Sequence, residues 1–398
     1  MRQHWTLDPN IVFLNHGSFG ACPRVVLEAQ ASLRERMERQ PVDFFARDWW
    51  GLVDEARIKV AAFVGADPAD MVFVRNATEG VNAVLRSFPL QAGDEVLVTD
   101  HEYLACRFAL DYAAKQAGAK VVVAQIPFPG TTQDAVVDAL TSAVTERTRL
   151  ALVDHVTSQT GLVFPIARIV EALSKKGVAV LVDGAHAPGM VELNLRSLGA
   201  DFYTANLHKW VCAPKGAGLL VVNKKWQDTI RPLSISHGAG VPFPSRSKFH
   251  AEFDWPGTDD FTPWLCAPVA IEAMASFVEG GWDQIRQRNH ALALQARALL
   301  CDALQIQPPC PDDMIGSTAA VPLPPDQTGA HSALDPEPIN TRLRRAFHIE
   351  VPVISWPASP SRVLRVSAQL YNTIADYEQL AQALASILGI SGTEAPEN

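Results

Sequence analysis

A lysine at the end of an apolar strand loses its proton more cheaply than one in water and can serve as an amine nucleophile. Lys209 has that setting, in Asn206-Leu207-His208-Lys209-Trp210 directly after the strand-like Asp201-Phe202-Tyr203-Thr204-Ala205. The bland alternative is a solvated surface charge. Asp183 lies 26 positions earlier, at the carboxyl end of the most apolar strand pattern, Val178-Ala179-Val180-Leu181-Val182, and opens Asp183-Gly184-Ala185-His186. Ligand crevices of open parallel sheets lie at strand carboxyl ends. This carboxylate is therefore either a turn former or a functional acid. A third piece, Val74-Arg75-Asn76-Ala77-Thr78-Glu79-Gly80-Val81-Asn82, runs from a strand into a helix start. Free N–H groups there, with the Thr78 hydroxyl, suit a phosphate; an ordinary helix cap is the alternative. The glycine patterns of mononucleotide and dinucleotide loops are absent from it. An amine, a carboxylate and a phosphate cup together suit pyridoxal phosphate, which needs a Schiff-base lysine, a partner for its ring nitrogen and a phosphate site.

Those residues need a sheet to hold them. Between about 71 and 223, short β-branched runs (71–74, 95–98, 120–123, 150–153, 178–182) alternate with amphipathic stretches at 103–117, 134–144 and 165–175. Two later runs, 201–205 and 217–222, complete the set. Continuous apolar strands separated by helices predict a mostly parallel sheet covered on both faces. Residues 225–263 read as long ordered loops, and 267–303 as one helical stretch. Prolines cluster between 308 and 338 and forbid regular helix across most of it. The tail predicts strands at 349–355 and 362–367 and a helix near 374–388. The organisation expected is a large domain over 20–264, with 1–19 and 265–398 forming a smaller one.

Composition narrows the class. The chain has 398 residues, 48% hydrophobic and 19% charged, and 34 basic against 43 acidic residues give a net charge of −9. An acidic chain without a Lys/Arg block argues against nucleic acid or an anionic membrane as partner. No apolar stretch approaches the ~18 residues that span a bilayer. Met1 to Pro9 lack an apolar run, which points away from a secretory signal. The six cysteines are scattered without CxxC, so neither a disulfide framework nor a metal site is called for. The expectation is a cytoplasmic globular enzyme.

The order of NATEGVN (76–82), HEYLA (101–105), VDGAHAPG (182–189), LHKW (207–210), PGTDD (256–260) and RVSAQLYN (365–372) resembles the class V aminotransferase family of fold-type-I pyridoxal-phosphate enzymes. The opening FLNHGSFG (13–20) is similar to its isopenicillin N epimerase-like subgroup, which also holds ergothioneine-pathway C–S lyases. The resemblance implies an α/β fold with a seven-stranded, mostly parallel sheet and a smaller C-terminal α/β domain. It makes Lys209 the Schiff-base lysine, Asp183 the partner of the ring nitrogen and His186 a contact of the ring hydroxyl. Tyr103 would stack on the ring, with His101 nearby as the other candidate. Ala77, Thr78, Asn206 and His208 would hold the phosphate, joined by Thr258 of a neighbouring subunit in a homodimer. Arg365 would clamp a substrate carboxylate, its alternative being a buried structural arginine. Asn15 and His16 would line the substrate pocket, or else cap the turn at Gly17.

Cysteine desulfurases of this family carry a nucleophilic cysteine shortly before that arginine. Glu350 to Val363 contain none, which disfavours persulfide chemistry. The reading is an enzyme acting at the α-carbon of an amino acid, epimerase-like first. A C–S lyase on a cysteine conjugate comes second and an aminotransferase third. A non-catalytic binding protein would have no use for the Lys209 and Asp183 pair. Tyr103, His101 and His16 are the possible proton donors on the face opposite Lys209.

Overall fold

The computed structural model describes residues 1–240, 245–326 and 338–389. The first strand, β1 (Val12–Phe13), is followed by seven that form one sheet. These are β2 (Met71–Val74), β3 (Glu95–Thr99), β4 (Lys120–Ala124), β5 (Thr148–Asp154), β6 (Ala179–Asp183), β7 (Phe202–Asn206) and β8 (Gly218–Val222). Their order across the sheet is β2-β8-β7-β6-β5-β3-β4. Only β8 runs against its neighbours, pairing antiparallel with both β2 and β7; the other pairings are parallel.

Alternation along each strand divides the interior. Leu97, Ala151, Val153, Val180 and Val182 join one buried cluster, while Val96, Val98, Leu150, Leu152 and Leu181 join another. A period of two sends successive side chains to opposite faces, so apolar runs without a polar face need cover on both sides. The helices Ala77–Ser87 and Leu104–Ala117 supply Val81, Val84, Cys106 and Leu110 to one side. Gln133–Ser142 and Ile166–Lys175 supply Val136, Leu140, Ile169 and Leu173 to the other.

The remaining strands are β9 (Thr318–Leu323), β10 (Ile349–Glu350), β11 (Val353–Ser355) and β12 (Arg362–Ser367). β12 lies between β11 and β9 in an antiparallel sheet, and β10 pairs in parallel with β1, Val12 opposite Ile349. The N-terminal segment is thereby stitched to the C-terminal third. Among the described residues no helix is long and apolar enough to cross a membrane.

The structure corrects two expectations and adds elements at two other places. Residues 225–263 are not all loop: Lys248–Asp254 is a helix, capped by the Ser247 hydroxyl and anchored by buried Phe249 and Phe253. The stretch 267–303 is two helices, Ala267–Ser276 and Gly281–Leu304, separated where Gly280 takes φ +85°. The proline-rich region holds β9, which tolerates Pro322 because it is an edge strand and edges can spare a donor. Part of that region, 327–337, lies outside the described residues, as do 241–244 and 390–398. Two further helices, Arg24–Arg39 and Trp49–Val64, have no counterpart in the expectations.

One glycine sets the distance between sheet and helix. A Cβ on Gly80 would sit 2.1 Å from Thr204 Oγ1, and that hydroxyl is already committed to the Leu219 carbonyl at 2.9 Å. Overpacking at such a contact costs about 1–3 kcal/mol. Gly80→Ala should lower unfolding free energy by about that amount in urea titrations, with the loss traceable to the Thr204 contact.

Candidate active site

The carboxyl ends of β6 and β7 bring the predicted lysine and aspartate together. Lys209 follows β7 in the connection to β8, and its Nζ lies 2.9 Å from His186 Nε2. The residue as a whole is half-buried, with its amine at the deep end. Burial, reinforced by the Arg365 cation, pulls the Lys209 amine from 10.5 down to about 8, against the opposing pull of Asp183. At pH 7 such an amine is about one-tenth free base, against about one part in 3,000 for an ordinary lysine.

Asp183 ends β6 with its carboxylate buried. Oδ1 accepts the Ala185 N–H at 2.9 Å, and Oδ2 accepts the Cys106 thiol at 3.3 Å. No ion pair among the described residues uses it. Asp154 stands in register beside it on β5, and Glu102 and Cys106 complete a buried group whose polar atoms, with those of Asp183, lie within 4.8 Å. Burial pushes the Asp183, Asp154 and Glu102 carboxyls upward. Asp183 thus offers an acceptor without a cation, the setting a protonated ring nitrogen fits.

The helix start at 77 is more committed than its sequence implied. The Ala77 N–H donates to Asn206 Oδ1 at 2.8 Å and the Glu79 N–H to Asn76 Oδ1 at 2.9 Å. The contact between Ala77 and Asn206 ties the helix to β7 and engages the Asn206 amide oxygen, so that any phosphate contact of Asn206 would come from its amide nitrogen. The hydrogen bonds at this terminus leave the Thr78 N–H and hydroxyl unused. His208 donates Nδ1–H to the Ala217 carbonyl at 3.0 Å, which leaves Nε2 as its remaining ring nitrogen.

Two histidines withdraw from the chemistry. His101 is buried, with Nδ1 at 2.7 Å from Thr160 Oγ1 and Nε2 at 2.9 Å from the Ile126 carbonyl. Tyr103 is 44% exposed and within electrostatic reach of Asp183 and Arg365, so of the two it is the ring that faces the open side. His16 does not line the pocket as expected. Its Nδ1 meets the Tyr371 hydroxyl at 2.7 Å and its Nε2 the Lys209 carbonyl at 3.0 Å. Burial holds it neutral, with a pKa of about 3. It pins the backbone of the lysine loop.

Arg365, on β12, is buried without a carboxylate partner among the described residues. It donates to the Ser158 carbonyl and, at 2.9 Å, to Ser18 Oγ; its Nε has no partner. Burial pulls its pKa to about 10. Ser18 in turn donates to Asn15 Oδ1 at 2.5 Å, and Asn15 donates to Glu350 Oε1 at 3.3 Å. Thr258 is exposed, in the connection that follows Lys248–Asp254. Ser18, Glu102 and Trp210 stood inside motifs already noticed, whereas nothing in Ser158, Cys106 or Asp154 marked them before the fold brought them here.

An enclosed amine, a cation-free carboxylate, an uncommitted Thr78 and an arginine with a bare Nε fit a phosphorylated, ring-bearing cofactor with a carboxylate substrate beside it. Comparison with known proteins agrees. Residues 13–380 match the Aminotransferase class-V family. The isopenicillin N epimerase of Amycolatopsis lactamdurans is 35% identical, over 97% of each chain. An Arabidopsis thaliana protein named "Probable L-cysteine desulfhydrase, chloroplastic" is 32% identical, over 96% of this chain and 84% of its own. Among solved structures, a C-DES variant with glycine covalently linked to its PLP cofactor superposes with a TM-score of 0.79 at 22% identity, over 97% and 99% of the two chains.

The Lys209 amine can be titrated without any assumed role. Its modification by a small aldehyde, followed by peptide mass spectrometry, should rise tenfold per pH unit only up to about pH 8 and then level. A rise continuing to pH 10 would mean an ordinary lysine.

Proposed function

Because the chain belongs to the aminotransferase class-V family of pyridoxal-phosphate enzymes, we propose that it acts on an amino acid at the α-carbon, as an isopenicillin N epimerase-like isomerase. The observation that carries this is Arg365, a full buried charge that among the described residues is held by neutral oxygens. A guanidinium fork so placed is completed by a carboxylate. Pyridoxal phosphate, when bound, supplies the electron sink that makes a Cα–H bond acidic.

The chain's own groups supply the rest. Lys209 holds the cofactor covalently and then takes or returns the Cα proton on one face. Asp183 would keep a proton on the ring nitrogen, and His186 would lie beside the ring hydroxyl. Thr78 and His208 hold the phosphate. Arg365 fixes the substrate carboxylate, with Ser18 and Asn15 orienting the guanidinium. Isomerisation needs a second proton group on the opposite face. His101 and His16 have both ring nitrogens bonded within the protein, which leaves Tyr103, kept a phenol by partial burial that raises its pKa.

A second reading, C–S bond cleavage on a cysteine conjugate, has the plant relative's name in its favour. It needs the same residues and a leaving group at Cβ; transamination ranks third. A homodimer is part of the proposal, Thr258 of the partner subunit reaching the phosphate. Leu104, Phe108 and Tyr112, exposed at four-residue intervals along one helix, form an apolar stripe beside Tyr103 that a second copy would cover. The β1–β10 pairing supports grouping 1–19 with 265–398 against a large domain over 20–264. Six unpaired cysteines suit a reducing, cytoplasmic compartment.

Amino acids lacking a β-leaving group, incubated with the enzyme in deuterated water, decide between the readings. Inverted, deuterated product without keto acid supports the isomerase; pyruvate formed only from cysteine conjugates replaces it with the lyase. Arg365→Ala should weaken substrate binding by about 2–5 kcal/mol while leaving covalent cofactor binding intact, and Lys209→Ala should abolish borohydride-fixed cofactor on the mapped peptide.

A further inference from the structure

We propose that Trp210 selects the tautomer of His186, so that His186 donates a hydrogen bond to Lys209 and holds its amine as an acceptor. The chain of contacts has one consistent assignment of protons. The indole Nε1–H of Trp210 can only donate, and it points at His186 Nδ1 from 3.3 Å. That nitrogen must therefore present its lone pair. A neutral imidazole then carries its proton on Nε2, which lies 2.9 Å from Lys209 Nζ. The Nε2–H finds an acceptor there only if the lysine is an unprotonated amine.

The alternatives each set two donors face to face. With the proton on Nδ1, an N–H meets the indole N–H. With an imidazolium, both contacts oppose donors, and the groups facing His186 (Lys209, Arg365, His16 and His208) all disfavour a second positive charge. Around Lys209 itself, Arg365 favours the free amine, while Asp183, Cys106 and Asp154 favour the ammonium. The Trp210–His186 pair adds a directional preference on the side of the amine.

The donor cannot turn away. Trp210 is 1% exposed and its ring centroid lies 5.0 Å from that of His16. A Cβ on Gly189 would come within 2.8 Å of the Trp210 backbone. Trp210 is a positioning residue that acts through His186. The consequence rests on reading Lys209 as the cofactor lysine; the proton assignment does not.

Nitrogen NMR of the full-length protein with labelled histidine, recorded before and after adding pyridoxal phosphate, reads the tautomer directly. His186 is assigned by the signal lost in His186→Gln. The expected result is a neutral Nε2–H ring from pH 6 to 8; an Nδ1–H ring or an imidazolium overturns the proposal. In Trp210→Phe the tautomer preference should be lost. The pH midpoint for aldehyde modification of Lys209 should rise by about one unit, so the rate at pH 7 falls about tenfold and recovers by about pH 10. An unchanged midpoint in a folded variant also overturns it. Replacing the indole by benzothienylalanine, which keeps the shape and removes the N–H, gives the same test should Phe fail to fold. Cofactor trapped on another lysine beside an Nε2–H His186 would refute the cofactor reading and leave this one standing.

Discussion

Enclosing an ammonium in protein costs more than leaving it in water, and the geometry around Lys209 is arranged about that cost. Its amine is buried just past the carboxyl end of β7, beside His186, with Arg365 as the cation that discourages a second charge. Asp183 stands on the adjacent strand, near enough to favour charge on the lysine but bound to the Ala185 N–H and the Cys106 thiol instead. The outcome is an amine partly free at neutral pH, which a nucleophilic lysine requires.

Holding that amine in place recruits residues from the far ends of the chain. His16 clamps the Lys209 carbonyl, and Gly20, at φ +70°, passes so close that a Cβ would lie 2.0 Å from the His208 carbonyl oxygen. Ser367, next but one to Arg365 on β12, accepts the Gly17 N–H at 3.0 Å. The N-terminal segment therefore acts as a strap between the lysine loop and the strand that carries the arginine. Its two-residue pairing with β10 keeps it there.

Behind Asp183 lies a layer without solvent. Among the described residues both Glu102 oxygens and Asp154 Oδ2 are buried without a hydrogen-bond partner, and burial raises the pKa of each carboxyl well above its usual range. Burial raises the Asp183 carboxyl as well, but it alone of the three accepts both a backbone N–H and a thiol, which favours negative charge there.

Several parts of this molecule were legible before any fold was known. Apolar runs bounded by polar turns located the seven strands to within a residue or two, because a sheet covered on both faces tolerates no polar alternation. Lys209 and Asp183 were legible as types in the right local setting, and Arg365 through the family resemblance. The sequence alone could not say that Gly280 breaks a helix, that Pro322 sits on an edge, or that Phe249 and Phe253 turn a loop into a helix, since each depends on what packs alongside. Nor could it separate His16 and His101, whose ring nitrogens meet structural partners, from His186, which meets Trp210 through one nitrogen and Lys209 through the other. A histidine's role follows from the partners of its two nitrogens, and those partners, such as Tyr371 for His16 and Ile126 for His101, are set by tertiary contacts that no local pattern encodes.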